Sequence, residues 1–102
     1  MFVIPDGKTE VLQRAITTYG NAAQLGMLIE ECAELIKAVC KVLRDGDTQV
    51  NELDLLDEVA DVFIMLSQLE MIYGATAEVN ARIDYKVRRL ERRLDELDEE
   101  RG

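Results

Sequence analysis

Five carboxylates, grouped in two stretches at helical spacing, are the residues of this sequence best suited to chemistry. Glu30, Glu31 and Glu34 form the first group, and Glu58 and Asp61 form the second. Residues three apart are neighbours on a helix surface, so each group can direct two carboxylates towards one point. Like charges at this spacing repel each other, and a carboxylate removed from water needs a positive partner. A hard divalent cation such as Mg²⁺ binds carboxylate oxygens and leaves positions for water and phosphate oxygens.

A plainer explanation is that the first group is a solvated helix face. Lys37 and Lys41 follow it on the same predicted helix, and their plainer role is pairing with Glu34 and Glu30; Lys37 lies three residues after Glu34. Taken alone, either acidic group is only a weak indication of a metal. The second group has no Lys or Arg on its own predicted helix, from position 52 to position 73. The two groups together therefore favour a metal site that is built from two packed helices.

The composition excludes several other kinds of site. The chain has no histidine, which excludes Ser-His-Asp triads, Cys-His dyads and the usual zinc sites. Its net charge of −9 argues against a nucleic acid polymer as a partner. Cys32 and Cys40 lie on one predicted helix, where they cannot bridge each other, and we expect both thiols to be buried. Without a signal-peptide pattern or an apolar run of about 18 residues, we expect a cytoplasmic protein with no membrane contact.

Apolar residues at the helical period predict four helices that position the carboxylates. The helices are expected at about 9–18, 21–43, 52–73, and from 76 to near the C-terminus. A short leader ends in a turn at residues 5–7, and Gly20 and Gly74 end the first and third helices. Asn21 and Gln24 resemble a capping box at the start of the second helix. No strand is expected, so the predicted fold class is all-α.

The third predicted helix carries its acidic pair on a face that becomes apolar. Val62, Met65 and Leu69 continue the stripe that Glu58 and Asp61 begin. The five residues from Val62 onward are apolar on every side of the helix, which predicts that the helix is buried. The acidic pair is therefore expected at the edge of a core rather than out in solvent.

The fourth predicted helix combines an apolar seam with a basic stripe. Its apolar residues follow at steps of three and four, in a heptad-like pattern: Val79, Ile83, Val87, Leu90, Leu94 and Leu97. Its basic residues lie along one side of that seam: Arg82, Lys86, Arg89 and Arg93. The seam could bury apolar surface against another chain, and we therefore expect a homo-oligomer.

In its two acidic motifs, the chain resembles the MazG-like nucleotide pyrophosphohydrolases. The acids Glu30-Glu31-x-x-Glu34, 23 intervening residues and then Glu58-x-x-Asp61 match the paired motif EExxE and ExxD of that family. The family belongs to the all-α NTP pyrophosphatase superfamily, together with dimeric dUTPases and phosphoribosyl-ATP pyrophosphohydrolases. The resemblance covers residues 19–93. It implies a four-helix fold and an obligate homodimer or dimer of dimers.

The resemblance also implies a reaction and a role for each matched residue. The reaction is hydrolysis of a nucleoside or deoxynucleoside triphosphate to the monophosphate and pyrophosphate, with Mg²⁺ or Mn²⁺ as cofactor. The implied metal ligands are Glu31, Glu34, Glu58 and Asp61. Glu30 would support a ligand or orient the attacking water, and Lys86 and Arg89 would bind phosphates. Gln24, on the helix face of Glu31, could contact the base or ribose.

Other interpretations stay open at this point. Gln24 could only cap a helix, and the basic residues of the fourth helix could only pair with Asp84 and Glu91. An enzyme of the same fold could act on dUTP or phosphoribosyl-ATP, because the acids would be unchanged. The chain has no Trp, and Phe occurs only at positions 2 and 63, so the preferred base is open. A different class of function is an acidic helical interaction module without catalysis. Under all of them, residues 1–102 form one domain.

Overall fold

In a computed structural model, which describes residues 4–102, the chain is all-helical. Helices make up 88% of these residues, and no strand occurs among them. The four helices follow in chain order as α1 (Thr9–Tyr19), α2 (Asn21–Asp45), α3 (Gln49–Tyr73) and α4 (Thr76–Arg101). The predicted all-α class with four helices is confirmed. The start of the predicted leader, at residues 1–3, lies outside the described residues.

Glycines separate the helices where the sequence predicted them to. Gly20 has a φ of 92° and its N–H donates to the carbonyl of Ile16, which ends α1. The predicted capping box is wrong, because the residue preceding α2 is Gly20 and no side chain caps that helix. Gly74 adopts the left-handed conformation that an L side chain disfavours, and this ends α3. Before α1, the Lys8 N–H donates to the Pro5 carbonyl at 3.0 Å, which forms the predicted turn.

Helix α3 begins three residues earlier than the apolar pattern predicted. The Thr48 hydroxyl accepts a hydrogen bond from the Asn51 N–H at 3.2 Å and so caps the helix. The Asn51 side chain in turn donates to the Gly46 carbonyl at 3.0 Å. These two bonds stabilise a short connection between α2 and α3, so the two helices form a tight hairpin.

The core lies between α1 and the α2–α3 hairpin and is thin. Helices α2 and α3 pack antiparallel along their length, and α1 packs against both. Only Leu12, Ile16 and Val62 are buried apolar residues in the described chain. The expectation that α3 is apolar on all sides and buried is only partly met, since Leu66 is 43% exposed. Cys32 is half-buried and Cys40 is exposed, so the prediction of two buried thiols is wrong.

Helix α4 leaves the hairpin after Gly74 and packs along none of the other helices in residues 4–102. The Thr76 hydroxyl donates to the Glu70 carboxylate at 3.1 Å across the junction. No residue of α4 is buried, and the chain measures 56 Å in its longest dimension. Within the described residues, no helix has an apolar stretch of the length that crossing a membrane requires.

Candidate metal centre

Three of the predicted ligands meet between α2 and α3. Glu31 contributes one carboxylate oxygen from α2, and Glu58 and Asp61 contribute one each from α3. These oxygens all lie within 4.8 Å of one another. We call these three residues the acidic triad. Glu31 and Glu58 are half-buried and Asp61 is exposed, so the triad is open to solvent on one side.

A buried pair of glutamines sets the register that brings the triad together. Gln24 on α2 donates to Gln68 on α3 at 2.6 Å, and both side chains are buried. Glu31 lies seven residues after Gln24, and Asp61 lies seven residues before Gln68. Seven residues are about two helical turns. In an antiparallel pair, a residue two turns after a contact on one helix therefore faces a residue two turns before that contact on the other. The glutamine bond therefore positions Glu31 opposite Asp61.

The triad is electrostatically unfavourable without a cation. Desolvation raises the pKa of Glu31, and the negative charges of Asp61 and Glu58 raise it further, as does a hydrogen bond with Asp61. Desolvation also raises the pKa of Glu58, followed by the charges of Asp61, Glu34 and Asp57, while a hydrogen bond with Glu31 opposes this. Both shifts have the direction expected when carboxylates share a site and hold a proton between them.

One oxygen of the triad has no partner. The Oε2 atom of Glu58 is buried, and no group of the described residues forms a hydrogen bond with it. A buried acceptor without a partner costs free energy, and the cost is larger for a charged group. Since no lysine or arginine pairs with the triad in residues 4–102, a bound cation is the compensation that its chemistry fits.

The remaining two predicted acids lie outside the triad. Glu34 is exposed, and its charge acts on Glu31 and Glu58 without its oxygens joining theirs. It lines an open cleft of about 240 Å³ next to the triad; the other lining residues are Lys37, Ala38, Lys41, Asp54, Asp57 and Glu58. Glu30 is exposed and belongs neither to this cleft nor to the triad. We call this opening the lysine cleft.

A second, more apolar cleft lies on the other side of the triad. It has a volume of about 440 Å³ and is lined by Tyr19, Ala23, Gln24, Met27 and Met65. Met27 precedes Glu31 by four residues and Met65 follows Asp61 by four, so one helical turn separates this opening from the triad. We call it the methionine cleft.

Sequence reasoning found one residue of the methionine cleft and missed the others. Gln24 was predicted as a base or ribose contact and does line it. Tyr19 is 68% exposed and offers the aromatic ring that the sequence did not locate. The sequence contains one weak indication that Tyr19 lies near Gln24: it directly precedes Gly20, which connects α1 to α2. Tyr73 is 66% exposed and does not line this cleft.

The predicted phosphate-binding residues of α4 are not brought to the acids. Lys86 lines a shallow surface opening formed entirely by α4 residues. Arg89 is half-buried on a helix that packs along none of the others. Their role in phosphate binding stays a prediction. Within the described chain, Lys37 and Lys41 line a cleft together with Glu58 of the triad.

Comparisons with protein-family models, with curated proteins and with solved structures found no match for this chain. The assignment of a function therefore rests on the triad, its two adjoining clefts and the paired acidic motifs.

Proposed function

We propose that this chain is a MazG-like, Mg²⁺-dependent nucleoside triphosphate pyrophosphohydrolase. It would hydrolyse a nucleoside or deoxynucleoside triphosphate to the monophosphate and pyrophosphate by attack of water at the α-phosphorus. The observation that supports this most directly is the acidic triad with its unpartnered Glu58 oxygen. The half-buried position of Glu58 also favours a site over the solvated acidic face that a helical interaction module requires.

The donor set of the triad suits Mg²⁺. All three groups are carboxylates, the oxygen ligands that this hard cation prefers. The triad oxygens lie within 4.8 Å of one another, which is close enough for small side-chain movements to bring them to one cation. Glu31, Glu58 and Asp61 would hold the ion. Glu34 is exposed one turn along α2 and would complete the set by turning its side chain towards them.

Each of the two clefts suits a different part of the substrate. When bound, Mg²⁺ would neutralise phosphate charge and lower the pKa of the attacking water. Lys37 and Lys41 supply cations for the outer phosphates in the lysine cleft. Glu30, next to Glu31 in the sequence, would orient the water or accept its proton. In-line attack at the α-phosphorus requires the water to lie opposite the leaving pyrophosphate. The nucleoside is a separate substituent of that phosphorus, so it can extend into a different cleft from the pyrophosphate.

The methionine cleft is the place that we assign to the base. The Gln24 amide can donate and accept hydrogen bonds beyond the one that it makes to Gln68. Exposed Tyr19 offers a ring for stacking, and Met27 and Met65 offer apolar contact. Nothing in this lining favours one base, so dUTP and phosphoribosyl-ATP stay candidate substrates alongside the common triphosphates.

We further propose that the enzyme works as a homodimer or a dimer of dimers in the cytoplasm. The described chain leaves many large apolar residues exposed, among them Ile29 at 72% and Leu43 at 81%. Apolar patches on this scale mark surfaces that a partner covers. The free thiols of Cys32 and Cys40 are compatible with a reducing compartment.

A panel of ribonucleoside and deoxynucleoside triphosphates tests the reaction. Each is incubated with the protein in Mg²⁺ or in EDTA, and pyrophosphate is assayed separately from orthophosphate. We expect Mg²⁺-dependent pyrophosphate release that disappears in Glu58→Gln. Glu52→Gln is the matched control, because Glu52 is an exposed acid of the same helix that belongs to neither cleft. No pyrophosphate from any triphosphate, together with no Mg²⁺ binding by calorimetry, would contradict the proposal.

A further inference from the structure

Helix α4 carries three heptads that the monomer leaves without a partner. With Val87 at position a, the a positions are Asn80, Val87 and Leu94, and the d positions are Ile83, Leu90 and Leu97. Five of these six residues are apolar, as expected for the seam of a coiled coil.

The a and d positions of α4 are uncovered along its whole length. Their apolar residues have exposed fractions between 47% and 58%: Ile83, Val87, Leu90, Leu94 and Leu97. No residue of α4 is buried, and α4 packs along none of the other described helices. In proteins, most helical stability comes from packing of the apolar face. A helix of 26 residues with an uncovered apolar seam is therefore incomplete in the lone chain.

The residues of the seam favour two parallel strands. In parallel dimers, a β-branched residue at a and Leu at d favour two chains, and one Asn at a position a specifies the register. Val87 supplies the β-branched residue, Leu90 and Leu97 supply Leu at d, and Asn80 supplies the polar a position.

The charges that flank the seam distinguish the orientations. All three e positions are acidic, namely Asp84, Glu91 and Asp98, and the g positions Lys86 and Arg93 are basic. Parallel helices place each g residue against the e residue five positions later in the partner, so opposite charges meet. Antiparallel helices place e against e and g against g, so like charges meet. The remaining charged g position, Glu100, is acidic and lies in the last turn of α4.

We propose that two copies of this chain associate through a parallel, in-register coiled coil of their α4 helices. Lys86 faces the partner subunit's Glu91, and Arg93 faces the partner subunit's Asp98. This interface does not depend on the proposed enzymatic function. It engages Lys86 in the dimer and leaves the lysine cleft as the source of cations beside the triad.

Charge reversal tests the orientation by the sign of its effect. Sedimentation equilibrium of the full chain should show a dimer whose dissociation constant rises about fivefold to thirtyfold in Glu91→Lys, since two symmetric attractions become repulsions. The double variant Lys86→Glu, Glu91→Lys should restore it. Glu96→Lys changes the same charge at the solvent-facing c position and should leave it unchanged. An antiparallel pair would bind more tightly in Glu91→Lys, because that position would then attract Asp84; this result, or no response, overturns the proposal.

Cross-linking gives a second test. In a background with Cys32→Ser and Cys40→Ser, Leu97→Cys should form a disulfide-linked dimer on mild oxidation, because in-register helices place each d position against its own copy. Asn80 and Val87 are the residues that position 97 would face in the antiparallel registers, so no self-linkage occurs there. A concentration-independent monomer, or a dimer without this disulfide, overturns the parallel interface. Circular dichroism confirms that each variant stays helical.

Discussion

The acids of the α2–α3 hairpin and those of α4 differ in whether the protein neutralises them. On α4, Asp84 is exposed and pairs with Arg88 at 3.2 Å one turn away. In the hairpin, Glu31 and Glu58 are half-buried and face further carboxylates, and no ion pair of the described chain reaches them. Exposed, paired charges on a helix contribute little to stability and favour solubility. Desolvated, unpaired ones cost stability and are retained where they have a function.

The largest expected effect is on Mg²⁺ affinity, and it distinguishes the adjacent residues Glu31 and Glu30. Glu31→Gln removes a carboxylate of the triad and should weaken Mg²⁺ binding at least about 100-fold, since even residues behind a ligand cost 10- to 100-fold. Glu30→Gln, one position earlier and exposed, should change the affinity by about twofold or less. Isothermal titration calorimetry measures both. Equal losses would mean that the acids act as a diffuse negative surface and not as a site.

The next effect concerns the bond that sets the register of the hairpin. Gln68→Leu leaves the Gln24 amide buried without its partner and should lower the free energy of unfolding by about 1–3 kcal/mol. The double variant Gln24→Leu, Gln68→Leu should recover part of that loss, because neither position then buries an unpaired polar group. Urea denaturation measures the cycle. Additive losses would show that the two amides do not act as a pair.

A smaller effect is expected at the methionine cleft. Stacking of a base on an aromatic side chain contributes about 1–3 kcal/mol, so Tyr19→Ala should raise KM for the nucleotide about fivefold or more with little change in kcat. Tyr73→Ala is the control, since Tyr73 has nearly the same exposure, 66% against 68%, and does not line the cleft. If KM is unchanged, the base binds elsewhere.

The sequence predicted the helices better than their environment. Glycines and apolar periodicity located all four with internal bounds within two residues, except at the start of α3, where Thr48 caps the helix from within a stretch predicted as a connection. Glu31, Glu58 and Asp61 were predicted as ligands, and they are the three that meet. Glu34 was grouped with them because residues three apart are neighbours on a helix surface. The structure leaves it exposed in the adjoining cleft, although Glu58 and Asp61 have the same spacing and do meet.

Burial was the property that the sequence predicted worst, and α4 explains why. Cys40 was expected to be buried, yet it is exposed on α2, and α4 does not pack along the hairpin. Periodicity shows which side of a helix is apolar but not which chain covers it. The contact of Gln24 with Gln68 was likewise invisible, because it joins residues 44 positions apart.

The last prediction uses the pH dependence of stability to test whether the triad destabilises the folded chain. The folded-state pKa values of Glu31 and Glu58 are raised above the ordinary 4.5. The folded chain therefore binds protons at these two carboxyls more tightly than the unfolded chain does. The resulting stabilisation is fully present below pH 4.5 and is lost as the pH rises through the raised pKa values. In EDTA, the Tm should fall over this range, whereas Mg²⁺ should restore it at neutral pH by binding only the folded chain. The double variant Glu31→Gln, Glu58→Gln should show neither the fall nor the Mg²⁺ response. A Tm in EDTA that rises over the same range would mean that the triad is not the dominant titrating feature, and that carboxylates stabilised by cations, such as Asp45 beside Arg44, control the pH dependence.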